Sequence, residues 1–254
     1  MLHPSIKFVI IFLFILVSGC REEDFISPAP NSKKILKIIQ NSSDYNIFTY
    51  SNDRLMRFQT FSSGENNFSI SLFYTESNFL RREERSYNKQ LQSFDFHYDE
   101  KLRISSSDFA IEGTNIYYLK YYYDQKNRLI KNEQYRKDES IPLFRTEYNY
   151  DQNDNVIEKR VYDETDLIQK HTYRYDGKIN PYYEIRNNLF YDYTFSKNNV
   201  LEEYDTLYYG ITPYTMTIKN VYTYDEYGYP SSKISDVEES GNKKSIAVTY
   251  HYQN

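Results

Sequence analysis

Large apolar residues recur in pairs along the chain, two positions apart, with a usually polar residue between them. The second member of each pair is aromatic, and consecutive aromatic anchors lie 20 to 29 residues apart. The anchors are Tyr50, Tyr74, Tyr98, Tyr123, Tyr150, Tyr175, Phe195, Tyr224 and Tyr252. Because a period of two is typical of a strand with one buried face, the pattern predicts nine copies of one short β-strand.

A short polar residue follows most anchors, and a second polar–apolar run begins shortly afterwards. This residue is Asp99, Asp124, Asp151, Asp176 or Asp225, and in other copies Ser51, Thr75 or Ser196. All three residue types can accept backbone hydrogen bonds in a tight turn, whereas Ser and Thr cannot replace a carboxylate base. We therefore expect a turn-capping role, and each repeat unit reads as a β-hairpin.

Two of these turns carry a recognisable sequence. Tyr123–Leu129 reads Tyr-Asp-Gln-Lys-Asn-Arg-Leu, and Tyr150–Val156 reads Tyr-Asp-Gln-Asn-Asp-Asn-Val. Both resemble the tyrosine-aspartate (YD) repeat of rearrangement-hot-spot proteins, which has Tyr-Asp, two residues, Gly, Arg and Leu. Most copies here have Asn or another residue at the Gly position. The resemblance covers about residues 35 to 254, and it implies an antiparallel sheet of hairpins, which winds into a hollow shell in large family members.

The repeats set the expected fold class, which is all-β. Eight hairpins, a ninth terminal strand and a first strand near Ile35 to Ile39 give roughly 17 to 18 strands. Open sheets of more than about ten strands usually curl, split or close. We predict a long antiparallel meander of about eight to nine hairpins that forms one strongly curled sheet. The alternative is a propeller-like arrangement in which pairs of hairpins make the blades.

The N-terminal residues are typical of a secretory signal. Ten apolar residues, Phe8–Val17, follow Lys7; a transmembrane helix needs about 20. Ser18 and Gly19 then precede Cys20, the only cysteine of the chain. This segment resembles the lipobox of bacterial lipoproteins, which implies that Cys20 is lipidated and becomes the first mature residue. The alternative is an ordinary signal peptide with a chance cysteine.

These observations divide the chain into three parts. We predict a lipoprotein signal peptide at 1–19, a lipid-anchored Cys20 with a flexible tether at 20–34, and a YD-like repeat domain at 35–254. The charged run 21–24 directly after Cys20 resembles the surface-export signal of Bacteroidetes lipoproteins; a solvated charge run is the alternative. The resemblance implies anchoring at the bacterial outer membrane through Cys20, with exposure at the cell surface left open.

Composition excludes several function classes. The chain of 254 residues has 30 Tyr, 16 Phe, one Cys and a net charge of -5. Its mean hydropathy is -0.79. A disulfide scaffold and a nucleic-acid-binding surface are therefore not expected. The histidines are scattered and no phosphate-binding loop or serine elbow occurs, so we predict no metal, no cofactor and no enzymatic activity.

Surface recognition is the function that remains. The stretch Asp205 to Thr217 falls in the longest gap between repeats and is predicted to be a loop. It contains the candidate ligand-binding aromatics Tyr208, Tyr209 and Tyr214, although tyrosine also simply suits strands. We expect a lipid-anchored envelope protein with a binding or scaffold role toward a glycan or another envelope protein. The alternative is a surface glycan-binding lipoprotein of a nutrient-uptake system.

Overall fold

The computed structural model describes residues 33–87, 89–185, 194–208 and 212–253, which belong to one compact unit, Ser32–Asn254. They form strands and one short 3-10 helix, Tyr183–Ile185. The strands are β1 (Lys34–Ile39), β2 (Tyr45–Ser51), β3 (Arg54–Ser62), β4 (Glu65–Tyr74), β5 (Leu80–Tyr87), β6 (Gln90–Tyr98), β7 (Ile104–Ile111), β8 (Thr114–Tyr123), β9 (Leu129–Arg136), β10 (Phe144–Tyr150), β11 (Val156–Asp163), β12 (Asp166–Ile179), β13 (Asn198–Leu207), β14 (Tyr214–Tyr224), β15 (Pro230–Glu239) and β16 (Asn242–Gln253).

The strands form a closed barrel. Each strand is antiparallel to its neighbours in sequence, and β1 also pairs with β16, with Lys34 opposite Gln253 and Ile39 opposite Thr249. The predictions of an open curled sheet and of a propeller are therefore wrong. Closure gives hydrogen-bond partners to the two edge strands, which a curled sheet leaves unpaired.

The barrel has sixteen strands rather than the 17 to 18 predicted. Eight of the nine anchors lie on the even-numbered strands, near their C-terminal ends. The exception is Phe195, which lies in the connection between β12 and β13. Its ring instead packs edge-on against Tyr148 at 5.6 Å between centroids. The predicted strand ending at Phe195 is therefore wrong.

The anchor tyrosines fix adjacent strands to each other. In five of the eight, the hydroxyl group donates to the carbonyl oxygen of the first residue of the preceding strand. Examples are Tyr98 to Leu80 at 2.8 Å, Tyr123 to Ile104 at 2.7 Å, Tyr150 to Leu129 at 2.7 Å and Tyr252 to Pro230 at 2.9 Å. The rings of these four tyrosines pack against the core, and their hydroxyls are satisfied, as is usual for buried tyrosine. The hydroxyl of the anchor Tyr50, by contrast, is buried without a hydrogen-bond partner.

Four of the five aspartates after the anchors cap the turns, as predicted, whereas Asp176 lies within β12. Asp99 Oδ1 accepts hydrogen bonds from the backbone N–H groups of Lys101 and Arg103, both at 2.9 Å. The equivalent bonds to Asp124, Asp151 and Asp225 are 2.8 to 3.0 Å long. The predicted structural role of these carboxylates is confirmed. We call the end of the barrel that carries these turns the Asp-turn end.

Each Asp turn contains one residue in the left-handed region. Gly228 occupies this position with φ +86°, and Asn127 and Leu102 occupy it with φ 60° and 59°. Glycine and asparagine adopt this conformation readily, whereas it strains leucine. The position is the one where the YD repeat has Gly, so backbone geometry explains that residue type.

Side chains alternate between an apolar interior and a polar outer face. On β5, Arg82 and Glu84 are partly exposed and form an ion pair, and Arg82 also contacts Asp95 of β6 at 3.1 Å. Glu83, between them, is completely buried. The core consists of residues such as Ile35, Phe48, Leu55, Ile70, Leu72, Phe96, Tyr121, Tyr148 and Tyr250.

Candidate functional site

The described ends of the connection between β12 and β13, residues 180–185 and 194–197, lie against the core of the barrel. The ring of Tyr182 lies 6.3 Å from that of Phe48, and Ile185 is buried in the core. On the other side of the connection, Phe195 packs against Tyr148. The described ends of this connection therefore fill part of the space that the strands enclose.

Hydrogen bonds attach this connection to the barrel wall. Asn180 donates from Nδ2 to the carbonyl of Ser196 at 2.8 Å. Ser196 Oγ accepts from the Val156 N–H at 3.0 Å and donates to the Tyr175 hydroxyl at 2.9 Å. Ser196 occupies the position that Asp takes in other repeats, but it bonds to the wall instead of capping a hairpin turn.

A cavity of about 380 Å³ lies inside the barrel against β5 to β10. Its lining is mainly aromatic, with a few polar side chains. The lining residues are Arg85, Phe94, Phe96, Phe109, Tyr117, Leu119, Tyr121, Asn132, Gln134, Tyr148 and Phe195. Sites that bind small molecules are typically lined by apolar and aromatic side chains with a few polar groups, and have volumes of about 300 to 1,000 Å³.

The polar groups of the cavity are held in place. The Arg85 guanidinium lies 4.2 Å over the ring of Phe94 and contacts the buried carboxylate of Glu83. The Tyr121 hydroxyl shares a 2.9 Å hydrogen bond with Ser107. Burial raises the pKa of Tyr121 to about 12, so its hydroxyl stays neutral at physiological pH. The Glu83 carboxylate balances the charge of Arg85, which favours ligands without a strong net charge.

A second cluster of polar side chains lies on the inner face of β12 and β13. His171 is opposite Asp205 in the strand register, and Glu203 precedes Asp205 by two residues on the same face. The imidazole Nδ1 contacts Asp205 Oδ1 and lies 3.4 Å from Glu203 Oε1. His171 is only 8% exposed and Asp205 only 6%.

The charged groups around His171 shift the pKa of its imidazole. Burial lowers the pKa of His171, but Asp205 and Glu203 outweigh it, so the pKa is raised above its usual value. Lys159, which is opposite His171 on β11, acts in the lowering direction. Burial also lowers the pKa of Lys233, against the attraction of Glu203. The cluster is thus a mixed-charge group inside the barrel.

Sequence reasoning missed this cluster. It treated the histidines as scattered, and it placed Asp205 at the start of a loop. The 18 residues between β12 and β13 separate His171 from its carboxylate partners and break the repeat period. One feature of the sequence could have indicated the cluster: Glu203 and Asp205 are two positions apart, so on a strand both carboxylates lie on the same face.

The predicted ligand-binding aromatics flank the β13–β14 connection. Tyr208 is 39% exposed, and its backbone N–H donates to Ile168 at 2.9 Å. Tyr214 begins β14, and its hydroxyl donates to Glu239. Tyr209 and Cys20 lie outside the described residues. The predicted loop from Asp205 to Thr217 is too long, because β13 continues to Leu207 and β14 begins at Tyr214.

Geometry and comparison define a closed antiparallel β-barrel with a partly filled interior. No protein-family model matches the sequence, and no curated protein matches it. A porin-like protein from Bacteroides uniformis is similar in structure, with a TM-score of 0.53, 11% identity, and coverage of 86% of this chain and 98% of that one. This likeness shows a shared fold.

Two other solved structures are more distant. A porin-like protein from Bacteroides vulgatus has a TM-score of 0.36 at 11% identity and covers 87% of this chain and 99% of that one. The Tc holotoxin pore of Photorhabdus luminescens has a TM-score of 0.32 at 14% identity, over 80% of this chain and 12% of that one. The described residues include no helix with the length and apolar content needed to span a bilayer.

Proposed function

We propose that this protein is a non-enzymatic barrel of the bacterial cell envelope, anchored at the outer membrane through Cys20, that binds a small and largely apolar molecule in its interior. The aromatic cavity of about 380 Å³ carries the proposal. The signal-like residues 1–19 and the lipobox-like sequence before Cys20 support the location. The shared fold with a Bacteroides barrel agrees with an envelope protein.

The outer face of the barrel supports anchoring by lipid. Glu158 on β11 forms ion pairs with Arg160 and Lys170, both at 2.7 Å. Farther round the barrel, Arg174 pairs with Glu202 at 3.0 Å. Strands that contact lipid have an apolar outward band about 25 Å tall, and a charge there is costly. Ionic groups at these outward positions suit water better than lipid.

The hairpins themselves are proposed to be diverged YD repeats. The support is local geometry that the copies share: an anchor tyrosine, a turn-capping aspartate and a left-handed residue before the next strand. In the copy that begins at Tyr123, Asp124 caps the turn and Asn127 has φ 60°. The repeats then serve as a scaffold that encloses the cavity.

A fluorescent apolar probe tests the interior site. The test uses the full chain with Cys20→Ser, which has no lipid anchor and is expected to need no detergent. We expect it to bind 1-N-phenylnaphthylamine, with a fluorescence increase that saturates as the probe concentration rises. Leu119→Trp fills the cavity and should weaken binding about tenfold or more, because apolar contact area is lost. Lys120→Trp is the matched control, since it is adjacent on β8 but faces outward. Equal binding by both variants would rule out the cavity as the site.

Carbohydrate binding at the β13–β14 connection is a second candidate. The exposed ring of Tyr208 and the ring of Tyr214, which Glu239 orients, flank the same connection. Aromatic rings of this kind can stack on sugars. Binding to a glycan array that is lost in Tyr208→Ala and Tyr214→Ala but retained in Leu119→Trp would support this candidate, and an array without any signal would count against it.

A further inference from the structure

We propose that His171, Glu203 and Asp205 form a binding site for one divalent transition-metal ion, with zinc as the best match. The candidate ligand atoms are the imidazole nitrogen and one oxygen from each carboxylate, and they all lie within 4.8 Å of one another. These three residues are the polar cluster on the inner face of β12 and β13. This site is separate from the apolar cavity and does not depend on its function.

The donor set suits zinc. Zinc in proteins is bound by imidazole nitrogen at about 2.0–2.1 Å and by carboxylate oxygen at about 2.0–2.2 Å, often through three protein ligands plus water. Ligand atoms around one tetrahedral zinc are then roughly 3.3 Å apart. The 3.4 Å from His171 Nδ1 to Glu203 Oε1 agrees with this spacing. Rotation of the Asp205 carboxylate would bring the third oxygen into place.

Unsatisfied buried atoms point to a ligand. Within the described residues, His171 Nδ1, His171 Nε2 and Asp205 Oδ1 are buried and make no hydrogen bond of acceptable geometry, although Nδ1 and Oδ1 are in contact. Buried polar groups are nearly always paired, and each exception needs an explanation. A metal ion between the three side chains would satisfy Nδ1 and both carboxylates at once.

The strand pairing holds the three ligands in place. Asp205 is directly opposite His171, and Tyr173, two residues after His171, is opposite Glu203. The imidazole stacks parallel to the Tyr173 ring at 6.1 Å between centroids. Two ammonium groups act electrostatically on the cluster, Lys159 on His171 and Lys233 on Glu203. An ammonium group reaches its acceptors only through N–H bonds, whereas a metal ion would coordinate the imidazole nitrogen and both carboxylates directly.

Metal titration of the full chain tests the site. After treatment with EDTA, the protein should bind one equivalent of zinc in isothermal titration calorimetry, and zinc should raise the melting temperature. Loss of an outer-shell partner alone costs about 10–100-fold in metal affinity, so His171→Gln and Asp205→Asn should each cost about 100-fold or more. Cobalt should give the visible absorption of a low-symmetry site in the wild type and lose it in both variants.

His97→Gln is the matched control. His97 also faces an aspartate, Asp108, at 2.8 Å, but the pair is exposed on the outer face and includes no second carboxylate. This variant should keep full zinc affinity. Melting curves in EDTA show whether each variant folds without metal. If a variant does not fold, the zinc titration of the wild type still tests the site. No zinc uptake by the wild type, or uptake unchanged in a folded His171→Gln, would overturn the proposal.

Discussion

Arg128 and Asp154 join two neighbouring hairpin turns that belong to different repeats. The guanidinium Nη1 donates to Asp154 Oδ1 at 3.0 Å, while the same side chain binds Asp124 of its own turn at 2.7 Å. The guanidinium also lies 4.6 Å over the ring of Tyr150. One side chain thus links consecutive repeats at the Asp-turn end of the barrel.

Arg128→Lys should destabilise the barrel, because a single ammonium group cannot keep the hydrogen bonds to both Asp124 and Asp154. Hydrogen bonds to charged groups contribute about 1.5–3 kcal/mol when well placed, and partial exposure reduces this, so we expect a loss of about 1–2 kcal/mol. Urea denaturation gives the measurement. Arg136→Lys is the control, since its 3.7 Å pair with Glu139 is exposed and should contribute less than about 0.5 kcal/mol. Equal losses in the two variants would contradict this account.

Leu102→Gly should stabilise the protein. Leu102 is 59% exposed and has φ 59°, so the substitution removes strain without removing much buried surface. The left-handed conformation costs an ordinary residue about 1–2 kcal/mol, and glycine costs about 0.5–1 kcal/mol in chain entropy. The expected net gain in unfolding free energy is about 0.5–1 kcal/mol.

The reverse substitution checks the same argument. Gly228 holds the equivalent position, and an added Cβ would meet only Lys178 Cδ at 4.0 Å. Gly228→Leu should therefore destabilise the barrel by a net of about 0.5–1 kcal/mol, because the lower chain entropy of leucine in the unfolded state offsets part of the backbone strain. Effects of the same sign for Leu102→Gly and Gly228→Leu would refute the conformational explanation.

Stability should fall as the pH drops from about 4.5 to about 2. Burial acts to raise the pKa of Glu133, but Lys131, Tyr135 and Tyr122 outweigh it and lower the pKa to about 2. Because the folded pKa lies below the unfolded value of 4.5, the unfolded chain binds more protons in this range, and stability is lost as the pH falls.

Glu133→Gln should flatten this pH dependence. The lost contribution should be at most about 2 kcal/mol once solvent screening is considered. Glu139→Gln removes the same formal charge from an exposed pair and controls for net charge. Thermal melts between pH 2 and 7 give the comparison. A wild-type slope that persists unchanged in Glu133→Gln would show that other carboxylates carry the effect.

Cys20→Ser should release the protein from the membrane. If the lipid on Cys20 is the anchor, the variant appears in the soluble fraction of a cell lysate, because the barrel has a charged outer face. Ser18→Thr keeps Cys20 and should stay membrane-bound. Membrane retention of Cys20→Ser would show that another part of the chain anchors the protein.

The sequence predicts the local structure of this barrel better than its closure. Asp99 and Asp124 lie in the expected turns because the capping interactions are local, within four residues of the aspartate. Closure depends on β1 meeting β16, where Ile35 pairs with Tyr252. That contact joins opposite ends of the repeat domain, and no local pattern encodes it.

The candidate sites also differ in whether local sequence or long-range strand pairing determines them. Phe195 was predicted to anchor a strand because it fits the aromatic–polar–aromatic pattern, yet it packs inside the barrel against Tyr148. His171 and Asp205 meet only because β12 pairs with β13 across a non-repeating connection. Pattern alone cannot distinguish an aromatic residue on a strand from one in a loop that packs on the same core.

Pairing of β1 with β16 makes the order of the hairpins cyclic. Lys34 and Gln253 are neighbours across a strand pair, so a short linker could join them and keep the backbone hydrogen bonds between the strands. The chain could then be opened at the β15–β16 turn, where a Cβ added at Gly241 would meet no atom within 4 Å. Circular permutants that begin and end there should fold to the same barrel, since the ring of strands has no obligatory first member.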